Sequence, residues 1–128
     1  MTEYLDPEDV DELIADKGFH YRDRGGLLSA LAAPMPVFGE EVHEGIHRKA
    51  AVLFTAINHN HPLLDGNKRL SWYLTAVFYD FNGYTPTANP DEGDRFVRTV
   101  AGENPPSLSE VQQWFEEHTV RTGRHPEN

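Results

Sequence analysis

The residues of this chain best suited to chemistry lie together in residues 61–69, which read HPLLDGNKR. One interpretation is structural: an Asp-Gly-Asn turn in which Asp65 caps the next helix and the two cations are solvated. The same residues can also bind phosphate. A helix that begins near Gly66 presents unpaired N–H groups and the positive end of its dipole. Gly66 allows a ligand to approach the backbone, and Lys68 and Arg69 add positive charge.

Two further groups complete the set that phosphoryl or nucleotidyl transfer requires. His61 can accept a proton from an attacking hydroxyl near neutral pH. Asp65 can supply a carboxylate oxygen to Mg²⁺, with nucleotide phosphates as the other ligands. Leu63 and Leu64 are expected to anchor the loop in the core. Because this chemistry depends mainly on positioning and charge stabilisation, the segment is a candidate active site.

The surrounding sequence predicts the helices that position this loop. Asp6 and Pro7 begin a first helix and Gly18 ends it, while Asn82-Gly83 ends the helix that opens near Gly66. That second helix is apolar nearly all round and is expected to be the buried central helix. Helices are also predicted over residues 26–33, 40–59, 90–102 and 108–119, with a short extended piece within 84–89. The prediction is an all-α, single-domain bundle of about six helices over residues 1–122, with a frayed tail over 123–128.

Composition restricts the classes of function. The chain has 128 residues, 38% of them hydrophobic, which fits one packed domain. There are no cysteines, which excludes disulfides and fits a reducing cytoplasm. A formal net charge of -10 argues against direct nucleic-acid binding by the chain alone. Neither a signal-peptide core nor a membrane-spanning run is present, so a cytoplasmic protein without membrane contact is expected.

Residues 60–69, NHPLLDGNKR, resemble the signature of the Fic/Doc family. That signature is His, usually Pro and Phe, a variable residue, Asp or Glu, Gly or Ala, Asn, Gly or Lys, and Arg. Leu63 stands where the family usually has Phe, and it keeps an apolar anchor. The segments YLDPEDV, GGLLSALAAP and FNGY resemble the Doc branch of the family.

The resemblance implies an all-α toxin of a bacterial toxin–antitoxin pair, neutralised by a small, partly disordered Phd-like antitoxin. It also implies a kinase that uses ATP and Mg²⁺ to phosphorylate a hydroxyl of a translation factor similar to elongation factor Tu, which blocks translation. Carried over by position, His61 is the catalytic base and Asp65 the metal ligand. The nucleotide phosphates are then bound by Gly66, Asn67, Lys68 and Arg69.

Two alternatives remain open. The Fic branch mostly transfers AMP to hydroxyl side chains, and its members usually have Gly at the position of Lys68. They also have a second Arg three residues after the first, where this chain has Trp72. Both departures favour phosphotransfer over AMP transfer. The other alternative is a catalytically inactive domain that binds the antitoxin or takes part in autoregulation.

A possible zinc site lies upstream of the signature. His43-Glu44-Gly45-Ile46-His47 fits H-E-x-x-H, with both histidines on one face of the predicted helix. A third ligand is needed, and His59 and His61 fit no extended pattern of this kind. In a Doc-like protein the segment would be the solvent-facing start of the helix before the signature.

Two other segments have possible roles in regulation and target binding. Residues 99–104, TVAGEN, fit a short pattern by which some Fic proteins inhibit themselves, but we interpret Glu103 as structural because Pro105 and Pro106 predict a helix end. Residues 34–39, PMPVFG, are either a plain connector or a flap that holds the target segment as an added strand, as in Fic-like proteins.

Overall fold

A computed structural model describes residues 1–122, which form six α-helices and a small two-stranded sheet. This confirms the predicted all-α architecture; the predicted tail over 123–128 lies outside the described residues. None of the helices in the described part is long and apolar enough to cross a membrane. In chain order the elements are α1 (Pro7–Asp16), α2 (Arg24–Ala32), α3 (Ile46–Asn60), α4 (Asn67–Phe81), β1 (Tyr84–Pro86), α5 (Pro90–Ala101), α6 (Leu108–Glu117) and β2 (Thr119–Arg121).

Four of the six helices begin with a side chain that accepts a hydrogen bond from the first turn. These caps are Asp6 of α1, Asp23 of α2, Asn89 of α5 and Ser107 of α6. In contrast, the N-cap positions of α3 and α4 are occupied by Gly45 and Gly66, which have no side chain to cap the helix. The N–H groups of the first turn of α4 are therefore available to another acceptor.

The core is organised around α3, which packs against α2, α4, α5 and α6. Ala50, Leu53, Phe54 and Ile57 of α3 are fully or almost fully buried. The predicted central helix, α4, is buried along the face that packs against α3, while Tyr73 and Phe81 stay partly exposed on its other faces. The two helices joined by the signature segment thus form the centre of the bundle, which fixes both ends of that segment.

The helix before the signature begins later than predicted. A helix from residue 40 was expected, but α3 starts at Ile46 and Gly45 has a φ of 86°. Residues 34–45, which extend the possible flap at 34–39 and are called the flap from here on, contain a tight antiparallel turn. In this turn Val37 and Glu40 exchange two backbone hydrogen bonds of 2.9 and 3.0 Å. Phe38 and Gly39 both have positive φ, as a two-residue hairpin turn requires. Polar residues 40–45 were compatible with a helix, but the turn and Gly45 prevent it.

A buried lysine fixes the base of the flap. Lys49 of α3 is only 2% exposed, and its ammonium group donates to the Glu41 carboxylate and to the carbonyl of Pro34. Val37 and Phe38, at the far end of the flap, are exposed. The flap therefore presents apolar side chains on a turn whose two ends are tied to the core helix.

The small sheet joins the end of α4 to the end of α6. β1 pairs with β2 in antiparallel register, with Thr85 opposite Val120. The extended piece expected within 84–89 is thus confirmed over Tyr84–Pro86. β2 was not predicted because its three residues directly follow a helical pattern, which was wrongly extended to residue 119; α6 ends at Glu117.

Candidate functional site

The candidate site is built on residues 61–66, here called the motif loop, which join the C-terminus of α3 to the N-terminus of α4. His61 ends α3 in the left-handed conformation, with φ of 48° and ψ of 59°. This conformation is unusual for a residue with a side chain and turns the chain sharply at the helix end. Within residues 1–122, no side chain or backbone group bonds to the exposed imidazole of His61 or to the exposed Asp65 carboxylate. Both groups are available to a ligand.

The motif loop is closed by Asn67, the first residue of α4. The amide oxygen of Asn67 accepts a hydrogen bond of 2.8 Å from the N–H of Leu63, and its amide nitrogen donates one of 3.0 Å to the carbonyl of Leu63. The Leu63 side chain is 1% exposed and anchors the loop in the core, as predicted. Leu64, which was also expected to anchor the loop, is instead 68% exposed, because neighbouring residues of an extended segment point to opposite sides.

The outer side of the loop is held by residues 19–23, here called the connector. The N–H groups of Arg22 and Asp23 donate to the carbonyl of Pro62 at 2.8 and 3.0 Å, and the N–H of Leu64 donates to the carbonyl of His20 at 2.9 Å. These bonds pair the connector with the motif loop almost as two strands. The position of the motif loop therefore depends on a segment about 40 residues earlier in the chain.

Arg22 is the positioning residue that sequence reasoning missed. Its guanidinium donates to the carbonyl of His61 at 2.7 Å and to the carbonyl of Asn60 at 2.8 Å. A cation bonded to the last carbonyls of a helix complements both their lone pairs and the negative end of the helix dipole. Arg22 thereby fixes the backbone of His61 and leaves its imidazole unobstructed. No signal in the sequence near Arg22 predicts this role, because the carbonyls that it contacts lie 38 and 39 residues later in the chain.

The connector is tied in turn to α1. Asp11 of α1 accepts a hydrogen bond of 2.5 Å from the hydroxyl of Tyr21 and two bonds, of 2.7 and 3.1 Å, from the guanidinium of Arg24. The bond from Arg24, followed by that from Tyr21, lowers the pKa of the Asp11 carboxyl to about 2. Burial, with the bond to Asp11, raises the pKa of Tyr21. This network links the N-terminal helix to the segment that holds the motif loop.

Gly66, at the start of α4, is required both by its conformation and by the space around it. Its φ is 96°, and a Cβ at this position would lie 2.6 Å from Cε1 of Phe19. The guanidinium carbon of Arg69 lies 5.2 Å from the centroid of the same Phe19 ring. Lys68 and Arg69 are exposed at the uncapped N-terminus of α4. Backbone N–H groups and two cations therefore converge on one side of the motif loop, an arrangement suited to an anion.

Two cavities lie on either side of Arg69, which lines both. The first, here called the aromatic pocket, has a volume of about 440 Å³ and lies between α4 and the start of α5. The second, here called the polar pocket, has a volume of about 300 Å³ and lies between the connector and the motif loop. The aromatic pocket is lined by Lys68, Arg69, Trp72, Tyr73, Ala88, Asn89, Pro90, Gly93, Asp94 and Val97. The polar pocket is lined by Lys17, Gly18, Phe19, His20, Leu64, Asp65 and Arg69.

Comparison with known proteins assigns this arrangement to a family. Residues 4–79, more than half of the chain, match the model of the Fic/DOC family. The chain belongs to the Fic/DOC family. Its similarity to Toxin Doc of Mycolicibacterium smegmatis (strain ATCC 700084 / mc(2)155) places it on the Doc branch. The two are 38% identical over 95 residues, which cover 71% of this chain and 73% of the relative. Comparison with solved structures gives no significant match.

The Fic/DOC signature residues come together as predicted, but one of them is engaged in holding the loop. His61, Asp65, Lys68 and Arg69 all project from the motif loop or from the first turn of α4. Asn67 was expected to contact phosphate, yet both polar atoms of its side chain bond to Leu63. Its backbone N–H, in the first turn of α4, is the group it offers to an anion. The catalytic and binding roles of all six residues stay predictions.

The zinc interpretation of HEGIH is not supported by the structure. His43 and Glu44 precede α3, so the two histidines do not share a helical face, and the segment is not the start of the helix as expected. His47 lies in α3, where its Nδ1 is 2.8 Å from the hydroxyl of Tyr79 and burial lowers its pKa. Over residues 1–122, no group of three or more His, Asp or Glu side chains is placed to hold a metal ion.

Two other candidates from the sequence are the TVAGEN pattern of residues 99–104 and His59. α5 ends at Ala101, and Glu103 is exposed beyond it in a bend, so the TVAGEN pattern does not form a continuous helix. His59 lies in the last turn of α3, where its Nε2 is 3.2 Å from the carbonyl of Val100. His59 is thus in contact with α5 at the end of α3.

Proposed function

We propose that this chain is a Doc-type toxin that transfers phosphate from ATP to a Ser or Thr hydroxyl of a translation factor similar to elongation factor Tu. The observation that carries the proposal is the motif loop itself. The imidazole of His61 and the carboxylate of Asp65, which have no partner within residues 1–122, stand beside an uncapped helix N-terminus with two cations. These are a base, a metal ligand and a phosphate cradle, the parts that phosphoryl transfer needs.

In the proposed reaction the hydroxyl oxygen of the target attacks the γ-phosphorus of ATP. Its proton passes to a ring nitrogen of His61, and the bond between the γ-phosphorus and the bridging oxygen breaks to release ADP. The first-turn N–H groups of α4, with Lys68 and Arg69, stabilise the charge on the transferred group. Because the N–H groups are fixed by the helix before the nucleotide arrives, they need no reorganisation during the transfer.

Asp65 is the residue that would hold Mg²⁺. Its carboxylate is exposed on the motif loop immediately before the helix N-terminus. One carboxylate combined with phosphate oxygens and water is the donor set that Mg²⁺ takes at nucleotide sites, so the residues present fit the ion. When bound, Mg²⁺ would neutralise negative charge on the phosphates.

The residues around the cradle favour phosphate transfer over AMP transfer. Lys68 adds a positive charge and a larger side chain at a position where the AMP-transferring branch usually has Gly. The ring of Trp72 lies edge-on to Phe54 and Trp114, with centroids 6.4 and 6.1 Å away, so this position provides an aromatic wall and no guanidinium. AMP transfer by the same loop is the second candidate.

A Doc-type activity implies a partner that restrains it, and we infer a Phd-like antitoxin. The inference is supported by the similarity of this chain to the relative from Mycolicibacterium smegmatis, which carries the name Toxin Doc. The site of action would be the cytoplasm, where translation factors work. An inactive domain that only binds the antitoxin is the alternative that the next experiment separates.

The test follows the label from two forms of ATP. The purified chain is incubated with Mg²⁺, elongation factor Tu and ATP labelled on the α- or the γ-phosphate. Transfer from the γ position alone is expected. Transfer from the α position would establish AMP transfer, and transfer from neither would favour the binding-only alternative.

Three variants, two of them a matched pair, make the test specific. His61→Asn keeps a residue that tolerates the left-handed conformation but removes the base, and it should reduce transfer by roughly 10²- to 10⁴-fold. Asp65→Asn should abolish Mg²⁺-dependent transfer, whereas Asp80→Asn, which changes an exposed carboxylate at the far end of α4, should not. Unfolding by urea should be the same for all of them.

A further inference from the structure

The aromatic pocket begins where the phosphate cradle ends. Lys68 and Trp72 are four residues apart on α4, as are Arg69 and Tyr73, and all four line the pocket. Residues at this spacing are neighbours on one helix face, one turn or about 5.4 Å apart. A ligand whose phosphates lie at the first turn of α4 therefore meets two aromatic side chains one turn further along.

The walls of the pocket are built into the fold. Trp72 is held by its edge-on contacts to Phe54 and Trp114. The opposite wall is the start of α5, which is fixed by the capping box between Asn89 and Glu92. Gly93 lies directly against the indole, since a Cβ there would contact Cη2 and Cζ2 of Trp72 at 3.4 Å. The close packing of α5 on the indole at Gly93 therefore fixes the position of the Trp72 ring.

The chemistry of the lining favours one kind of ligand, since its one carboxylate, that of Asp94, is paired with Arg98 at 2.8 Å. Two cations at one end and two aromatic rings beyond them match a molecule with an anionic group joined to a flat apolar group. A nucleotide has this design, and bases stack on aromatic side chains whatever their identity. The volume of about 440 Å³ is within the range of small-molecule sites. The polar pocket has a different lining, which includes the Asp65 carboxylate and the His20 imidazole, and its Phe19 ring has the Arg69 guanidinium over it.

We propose that the aromatic pocket binds the base and sugar of the nucleotide, against the Trp72 indole and beside Tyr73. One face of the Tyr73 ring also has the Lys17 ammonium over it, 4.5 Å from the ring centroid. The proposal rests on the proposed function, because it takes the phosphates to lie at the N-terminus of α4. It adds that the nucleoside runs along α4 toward α5, away from the connector. Trp72 then supplies a wall for the nucleoside at the position where the AMP-transferring branch has an arginine.

The test compares ATP with inorganic triphosphate, which shares the phosphates and lacks the nucleoside. Binding of each to the full chain with Mg²⁺ is measured by titration calorimetry. ATP should bind roughly tenfold or more tightly than triphosphate, given the usual contribution of base stacking. Tyr73→Ala and Ala88→Leu, which remove a wall and fill the pocket, should abolish that preference and leave the affinity for triphosphate unchanged. The control is Phe81→Ala, which removes another partly exposed aromatic side chain of α4 that lies outside the pocket, and it should change neither affinity.

The outcomes separate this inference from the proposed function. If ATP binds more tightly than triphosphate and both pocket variants keep that preference, the nucleoside lies elsewhere and the inference is wrong, although γ-phosphate transfer would still support the kinase. If the variants raise KM for the protein target and not for ATP, the pocket holds the target and the inference is also wrong. If the wild-type chain binds neither ATP nor triphosphate, the proposed function fails together with the inference.

Discussion

The double hydrogen bond between Asn67 and Leu63 leads to a prediction about stability. Asn67→Ala removes bonds of 2.8 and 3.0 Å at a half-buried position. At about 1 kcal/mol for each bond, the free energy of unfolding should fall by about 2 kcal/mol. With a urea dependence of about 2 kcal/mol per molar, the unfolding midpoint should move down by about 1 M. Transfer activity should also fall, since the loop that carries His61 loses its closing contact.

The assay is urea unfolding followed by tryptophan fluorescence, with transfer of γ-label measured on the same preparations. Lys68→Ala is the matched control: Lys68 is the next residue, is exposed and has no ion pair within residues 1–122. It should change the unfolding free energy by less than about 0.5 kcal/mol while weakening ATP binding. If Asn67→Ala behaved like Lys68→Ala, with stability unchanged and ATP binding weakened, the side chain would contact phosphate and our structural assignment would be wrong.

Three further changes test other parts of the molecule. Gly66→Ala should cost about 2–4 kcal/mol in unfolding free energy, from the left-handed backbone and the clash with Phe19; Phe19→Leu in the same chain should recover part of this loss, and no recovery would contradict the clash. Because folding lowers the pKa of Asp11 from 3.8 to about 2, its contribution is complete above pH 3.8 and is lost as the pH falls through about 2. Asp11→Asn should therefore flatten the stability curve between these values in acid unfolding experiments, and an unchanged slope would refute the assignment. Val37→Glu should reduce modification of the protein target and leave ATP binding unchanged. Unaltered modification would mean that the flap only joins α2 to α3.

Sequence reasoning succeeded where the signal is local. The start of α1 follows from Asp6 and Pro7, and the end of α4 from Asn82-Gly83, because a cap or a helix stop is encoded within about four residues. The late start of α3 was missed because no strong local signal marks it. Residues 40–45 carry no strong helix breaker except Gly45, and a single glycine is tolerated in a helix at a cost of about 1 kcal/mol.

The site was predictable in its membership and less so in its internal contacts. The signature placed six residues on one loop and one helix start, and the structure brings them together there. The side chain of Asn67 could have been assigned to phosphate or to the loop, since an amide serves either purpose. The position of the Leu63 backbone in the structure shows which hydrogen bonds the Asn67 side chain makes. Arg22 could not be predicted from the sequence, because its bonds to Asn60 and His61 depend on how α2 and α3 pack.

The structure distinguishes residues whose side chains are open to a ligand from residues that hold the backbone of the motif loop, and this division does not follow the boundaries of the motif. His61 and Asp65 are exposed and bond to no other side chain in the described part of the chain, so they contribute little to stability. Asn67 lies inside the motif and Arg22 outside it, yet both hold the backbone of the loop. Catalysis gains most from groups that are fixed before the substrate binds. The left-handed conformation of His61 costs free energy that the hydrogen bonds from Arg22 offset, and the result is a fixed backbone that leaves the imidazole open to a ligand.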